Sequence, residues 1–281
     1  MELTERENRL LVEIVEWAKE FNEHEQTDIQ MTYAKWLDRS FERIPEEMRT
    51  QFFSKLDSWL FHLHAAIQGT QIQMDARQRI ITSAKVFNEE IEYLEELKHL
   101  SIDKLTYLAD HQIAKHRLYS FAQGGLTGTG GVLLLGVDIP AMTVINLRLV
   151  QLIAMTYGYD VNRPNEMMTS LKVFHAATLP KRMKCHGWNA LVGEMDNPHL
   201  YNFFYEGSEE LTDETWLEHP LKQGLKALVI LMFRKKLVQG IPLIGMLIGS
   251  TMNYQVTRQV SEFAHKYYQY RFLKDKEGAV L

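Results

Sequence analysis

The sequence predicts an all-α fold on three observations. Apolar residues recur at helical spacing, as in Leu10, Leu11, Ile14, Val15, Ala18 and Phe21. Helix-start chemistry precedes that run: Thr4-Glu5-Arg6-Glu7 is a capping box, in which threonine and glutamate side chains accept each other's backbone N–H groups. No convincing period-2 alternation occurs, and turn pairs of the Asn-Gly type are few.

The elements follow in order. The first helix starts at Thr4. Pro45 suits the first turn of a second, whose apolar stripe is Phe52, Leu56, Trp59, Leu60 and Leu63. A third covers about Met74–Leu97. Ser101 caps a fourth that runs through about Ala122. Composition then changes. Residues 124–157 carry only Asp138 and Arg148 as charges, and residues 237–257 carry none, with glycines at 240, 245 and 249. Between them lies a mixed stretch, 160–216, in which MDNPH (195–199) and EGSEELTDET (206–215) read as loops or helix starts. Residues 259–272 are again amphipathic and basic. The chain is expected to form a single helical domain over 1–281, amphipathic over 1–100 and glycine-rich and apolar over 101–281, with its two glycine-rich apolar helical segments packed together.

Bulk properties narrow the function. At 46% hydrophobic and 24% charged, the chain is globular rather than disordered. A net charge of −5 gives no general attraction to nucleic acid. Cys185 is the sole cysteine, which excludes an intrachain disulfide and a cysteine-rich metal knuckle and suits a reducing, cytosolic setting. The start MELTERENRLL lacks the basic and apolar parts of a signal peptide, so export by that route is not expected.

Six of the sixteen glycines fall between Gly124 and Gly136. A P-loop would need Gly-Lys-Ser/Thr after Gly125–Gly130, but Gly131-Val132 follows, and no lysine occurs from 116 to 171. A dinucleotide fingerprint fails at Leu133 and lacks a preceding strand. Close helix packing fits better: Gly124 and Gly128 are four apart, as are Gly245 and Gly249, and Gly131 continues the glycine run. Pro242, Gln239, Asn253 and Gln255 interrupt the second segment, so a buried hairpin, a hairpin lying on or in a membrane, and a true span all stay open. The basic clusters Arg234-Lys235-Lys236 and Lys181-Arg182-Met183-Lys184 suit an anionic leaflet, or equally a solvated helix end.

Spacing supports no metal site. His62 and His64 face apart on a helix, His111 and His116 are five apart, and Cys185 beside His186 diverges from it. No cofactor is expected. Asp138 stands out as a lone acid in an apolar run. It reads either as a helix N-cap ahead of Ile139-Pro140 or as the partner of Arg148 or of Ala114–Arg117. The latter gives a polar site of Asp138, Arg148, His111, Lys115 and His116, with His111 and Lys115 at i,i+4.

Three stretches carry a resemblance: SFAQGGLTGTGGVLLLGVDIPAMTVINLRLVQLIAMTYGYD (120–160), MMTSLKVFHAATLPKR (167–182) and KKLVQGIPLIGMLIGSTMNYQVTRQVSEFAHKYYQYRF (235–272). FFSKLDSWLFHLHAAIQG (52–69) agrees with them. The chain resembles the EcsC family of bacilli and their Gram-positive relatives over nearly its whole length. The matching positions are Gly124, Gly125, Gly131, Asp138, Pro140, Arg148, Gly158, Pro242, Gly245, Asn253 and Arg258, and the family supplies no agreed catalytic residues. The resemblance implies association with the subunits of the Ecs ABC transporter, a system tied to peptide removal from the membrane and to secretion. The expected role is accessory, cytoplasmic and peripheral or monotopic at the inner face of the membrane, binding anionic lipid or transporter, with Arg234, Lys235 and Lys236 as anchors. Two alternatives are a membrane-proximal hydrolase of lipid or peptide, using Asp138 with His111, His116 or His175, and a carrier holding a lipid or acyl chain between apolar helices.

Overall fold

A computed structural model describes residues 3–21, 71–128, 131–179, 181–196 and 242–278. Every element among them is helical: α1 Glu5–Lys19, α2 Gln71–Lys85, a 3₁₀ helix Leu94–His99, α3 Ile102–Gly128, α4 Gly131–Thr156, α5 Pro164–Thr178, α6 Lys181–Asp196 and α7 Pro242–Gly278.

Local chemistry sets the boundaries. The Glu7 N–H donates to the Thr4 hydroxyl, and the Thr4 N–H donates to the Glu7 carboxylate at 2.9 Å, so α1 opens on the capping box. Pro164 stands in the first turn of α5, where its missing N–H costs nothing. α4 ends in a Schellman motif: the Gly158 N–H reaches the Met155 carbonyl and the Tyr159 N–H the Ala154 carbonyl. Gly158 takes φ +81°, a conformation that favours glycine, and a Cβ there would also press on the Lys98 side chain at 2.8 Å.

Three expectations are corrected. The helix expected over Met74–Leu97 ends at Lys85. The Asn88 carboxamide accepts from the Glu90 N–H, and the Glu96 carboxylate collects the Glu92 and Tyr93 N–H groups, so side chains take over backbone donors that a helix would need. α3 runs on to Gly128, beyond Ala122, because it has α7 to pack against. Asp138 lies well inside α4 and is not its N-cap. The helix expected after Pro45, and the clusters at 197–199 and 206–215, lie outside the described residues.

The most extensive packing is between α3 and α7, which run antiparallel. Ser120, Thr257, Asn253, Ser250 and Ser261 are all buried along this contact. The Arg117 guanidinium donates to the Ser261 hydroxyl at 2.9 and 3.1 Å; Thr257 donates to Ser120 Oγ at 2.6 Å, which donates to the Asn253 carbonyl at 2.9 Å; and the Asn253 amide donates to Gln123 at 2.8 Å. Beyond Asn253 there is no room for any side chain at all: a Cβ on Gly124 would lie 2.4 Å from the Gly249 carbonyl oxygen. At the opposite end Gln269 donates to Thr106 at 3.0 Å.

The remaining helices dress this pair. α4 packs on both α3 and α7, α5 on α7, and α2 on α4. Trp17 of α1, Trp188 of α6 and Phe263 of α7 meet edge to face, with Trp188 5.5 Å from Trp17 and 5.6 Å from Phe263. Near its C-terminus α7 is held by ions. Arg271 makes a two-pronged bond to the Glu166 carboxylate at 2.6 and 2.7 Å and stacks on the Tyr159 ring, 4.1 Å from its centroid. Lys276 donates to Glu7 at 2.6 Å; burial pushes that carboxyl up, but Lys276 and the Thr4 donors outweigh burial and leave it below its ordinary range.

Two stability outcomes follow. Gly124→Ala meets a backbone atom that cannot move cheaply and is expected to cost about 2 kcal/mol or more, whereas Gly193→Ala, whose Cβ meets nothing within 4 Å, is expected to be neutral or to stabilise α6 by about 0.5–1 kcal/mol. Urea denaturation of the two variants checks the contrast. Glu166→Ala strands the buried Arg271 charge and is expected to cost about 3–5 kcal/mol, with Glu166→Gln recovering part of it.

Candidate functional site

Three helices each turn one stripe toward a common hollow. α2 presents Asp75, Ala76, Gln78, Arg79, Thr82 and Ser83; α3 presents His111, Gln112, Lys115, His116 and Tyr119; α4 presents Val144, Ile145, Arg148 and Leu152. The steps of three and four along each helix put these residues on one face. The hollow is a cleft of about 740 Å³. Its chemistry is lopsided: Arg79, Lys115 and Arg148 converge from three elements, and Asp75 is the only acid among the described lining residues. Beside it lies a smaller hollow of about 240 Å³ that shares Ser83, His111 and Gln112 and adds Ile80, Val86, Phe87, Tyr107 and Leu108.

The hydrogen bonds fix several roles. Thr82 and Ser83 donate their hydroxyl protons to the Gln78 and Arg79 carbonyls at 2.8 Å, leaving those oxygens as acceptors. His116 Nδ1 stands 3.0 Å from the Gln112 carbonyl, which makes Nδ1 the protonated nitrogen and Nε2 the acceptor of the neutral ring. Burial first, then repulsion from Arg148 and Lys115, lower the His116 pKa; the Gln112 carbonyl works the other way. Burial, then repulsion from Arg79, lower that of Arg148, with Tyr119 opposing.

Four residues that the sequence singles out, His111, Lys115, His116 and Arg148, thus line one cleft. Asp138 lies on α4, where its backbone but not its side chain is described, and Gly128, Gly131 and Gly245 take backbone positions in α3, α4 and α7. Gly124 and Gly249 meet at the close crossing. Arg234, Lys235 and Lys236 fall outside the described residues. Of the second basic cluster, Lys184 is buried, with its ammonium 6.0 Å over the Phe263 ring. His175 is on α5 and does not line the cleft. Sequence reading misses Arg79 and Tyr119. Asp75 and Arg79 at i,i+4 look like a helix-surface pair, and only the packing of α2 on α4 makes that surface a wall of the cleft.

A second polar array lies between α3, α4 and α7. The Tyr157 hydroxyl is 2.8 Å from His265 Nε2, and His265 Nδ1 is 3.6 Å from the Asp110 carboxylate. Tyr157 is fully buried and lines neither of the two hollows, and the array reads as a tether between helices. Burial, with Lys266 and Arg117 adding, pushes the His265 pKa down to about 4, and burial alone pushes His175 to about 4.

Among the described residues, fold and site define an all-helical protein built on a close helix crossing, with a cation-lined cleft on its flank. The chain belongs to the EcsC protein family, whose model matches residues 8–273. It is similar to Protein EcsC of Bacillus subtilis (strain 168), 22% identical over 241 residues that cover 86% of this chain and 91% of that one. It is also similar to Uncharacterized protein YdbA of the same organism, 24% identical over 253 residues that cover 86% and 87%. No solved structure matches the chain.

The two depressed histidines set a pH dependence. Each binds its proton less well folded than unfolded, so the stability that goes with the neutral ring is present above the unfolded value of about 6.5 and is lost as pH falls toward 4. By pH 5 each is expected to have cost about 2 kcal/mol. Urea midpoints at pH 7 and pH 5 should show the loss, and His265→Gln and His175→Leu should each flatten the profile.

Proposed function

We propose that the chain is a membrane-associated accessory protein of the Ecs ABC transporter system, working at the cytoplasmic face by binding lipid or transporter subunits rather than by making or breaking bonds. The observation that carries this reading is the set of exposed large apolar side chains on the two crossing helices. On α3, Leu118, Phe121 and Leu126 are exposed, Leu126 at 75%, and on α7 Tyr254 is exposed. A single exposed apolar side chain means little, but several on the two crossing helices offer apolar surface to an interface. Arg258, on the same face of α7 as Tyr254 at i,i+4, supplies an exposed cation beside it.

No helix among the described residues is long and apolar enough to cross a membrane. The exposed apolar side chains therefore suit contact with a surface. Burial at about 25 cal/mol per Å² favours such contact by several kcal/mol before association costs. Each cation near an anionic leaflet adds about 1 kcal/mol. Family membership supports the transporter part of the reading.

Flotation of the purified chain with phosphatidylglycerol-rich vesicles tests this. Binding that survives high salt is expected, because apolar contact is not screened. Leu118→Glu with Leu126→Glu, both on the surface, is expected to abolish flotation without changing the thermal midpoint. A chain that stays with the soluble fraction at both low and high salt would sink the lipid-binding part.

A further inference from the structure

The cleft between α2, α3 and α4 asks for an anion. Elsewhere the fold sets cations against acids across elements: Arg271 on Glu166, Lys276 on Glu7, Lys172 on Glu194, Arg77 on Asp160. Arg77 and Arg79 stand two apart on α2 yet differ in this respect. Arg77 reaches Asp160, while Arg79 turns toward Lys115 and Arg148. Among the described residues neither Arg79 nor Lys115 has an acidic partner within ion-pair distance, and the two belong to different helices. A solvated helix face would place its cations on one element. Three elements bringing like charges to one concave surface is a repulsive arrangement that a bound anion relieves.

The donor set narrows the anion. Two guanidinium forks and one ammonium exceed the needs of a single carboxylate; they match the several oxygens and up to two charges of a phosphate. Gln78, Gln112 and the Tyr119 hydroxyl stand in the same lining and can complete the shell. The lining also carries an apolar part. Val144, Ile145 and Leu152 form one wall, and the adjoining hollow, which shares Ser83, His111 and Gln112, is built from Ile80, Val86, Phe87, Tyr107 and Leu108. A free phosphate would leave that hollow unused.

We propose that this cleft binds the phosphate group of a small amphiphile, with Arg79, Lys115 and Arg148 holding the phosphate and the adjoining hollow taking the apolar part. The site shares no residue with the exposed apolar side chains on α3 and α7 that carry the membrane reading, so either can fail without the other. A phosphate in this position sits among fixed charges on three helices, so binding ties α2 to the α3–α4 pair.

Titration calorimetry on the full chain tests the site with three probes: inorganic phosphate, dihexanoyl phosphatidic acid below its micelle concentration, and dihexanoylglycerol, which lacks the phosphate. The phosphatidic acid is expected to bind at least tenfold more tightly than inorganic phosphate, and the glyceride not to bind. Arg79→Gln with Lys115→Gln, both exposed positions that leave the core untouched, is expected to weaken it at least tenfold while the thermal midpoint and vesicle flotation stay as they were. Arg148→Lys is expected to lose less than Arg148→Gln. Inorganic phosphate bound as tightly as the lipid would overturn the apolar half and assign the cleft to a soluble phosphate. Absence of binding by both phosphates, or binding that ignores the double variant, would overturn the proposal.

Discussion

The contact on which the rest of the structure depends is the close antiparallel crossing of α3 and α7. At Gly124 the Gly249 carbonyl oxygen occupies the place where a side chain would begin. The two helices can come that near only because Gly124 carries no Cβ. The approach then brings Ser120, Asn253, Thr257 and Ser261 within hydrogen-bonding reach of one another and of Gln123 and Arg117. Most of these groups are buried, and each bond in the seam avoids an unsatisfied polar atom that would cost about 1–3 kcal/mol. The seam therefore fixes register as well as distance: sliding α7 by one turn would break every pair at once.

That fixed pair determines where the cleft can form. α4 packs against both members, and α2 packs on α4, so the cleft sits one layer out from the seam. Its α3 wall is the helix that the seam holds. The far end of α7 is pinned by different means: the Arg271–Glu166 pair, the Tyr159 ring beneath that guanidinium, and the reach of Lys276 to the α1 cap. Close packing governs one end of the long helix, and charge pairing the other. Between them the Tyr157–His265 bond adds a tether whose acceptor exists only while the imidazole is neutral.

Parts of this were legible in the residues. The capping box of α1 can be read directly, since it needs only positions four to seven and local donors. The all-α class follows from periodicity, and the glycine spacing at 124 and 249 points to close helix packing before any partner is known. Arg148 stands out because charge is rare around it, and His111 and Lys115 through their i,i+4 spacing. What could not be read is long-range. Asn253 and Gln255 look like defects in an apolar run, and nothing local says that Asn253 meets Gln123. Arg79 looks like half of a surface pair until α2 is laid on α4. The end of α2 at Lys85 was missed because Asn88 and Glu96 redirect backbone donors through side chains, a competition that hydrophobic periodicity does not register.

The most direct test of the crossing as the organising constraint is native-state hydrogen exchange, followed residue by residue. The seam makes α3 and α7 one cooperative unit. Amides from about 113 to 124 and from about 250 to 261 should therefore open together at the global unfolding free energy. Gly124→Ala should lower both sets by the same amount. Amides of the α7 half around Asn253 and Thr257 that open well below the global value, with α3 still protected, would show that the two helices are held independently and would contradict the account.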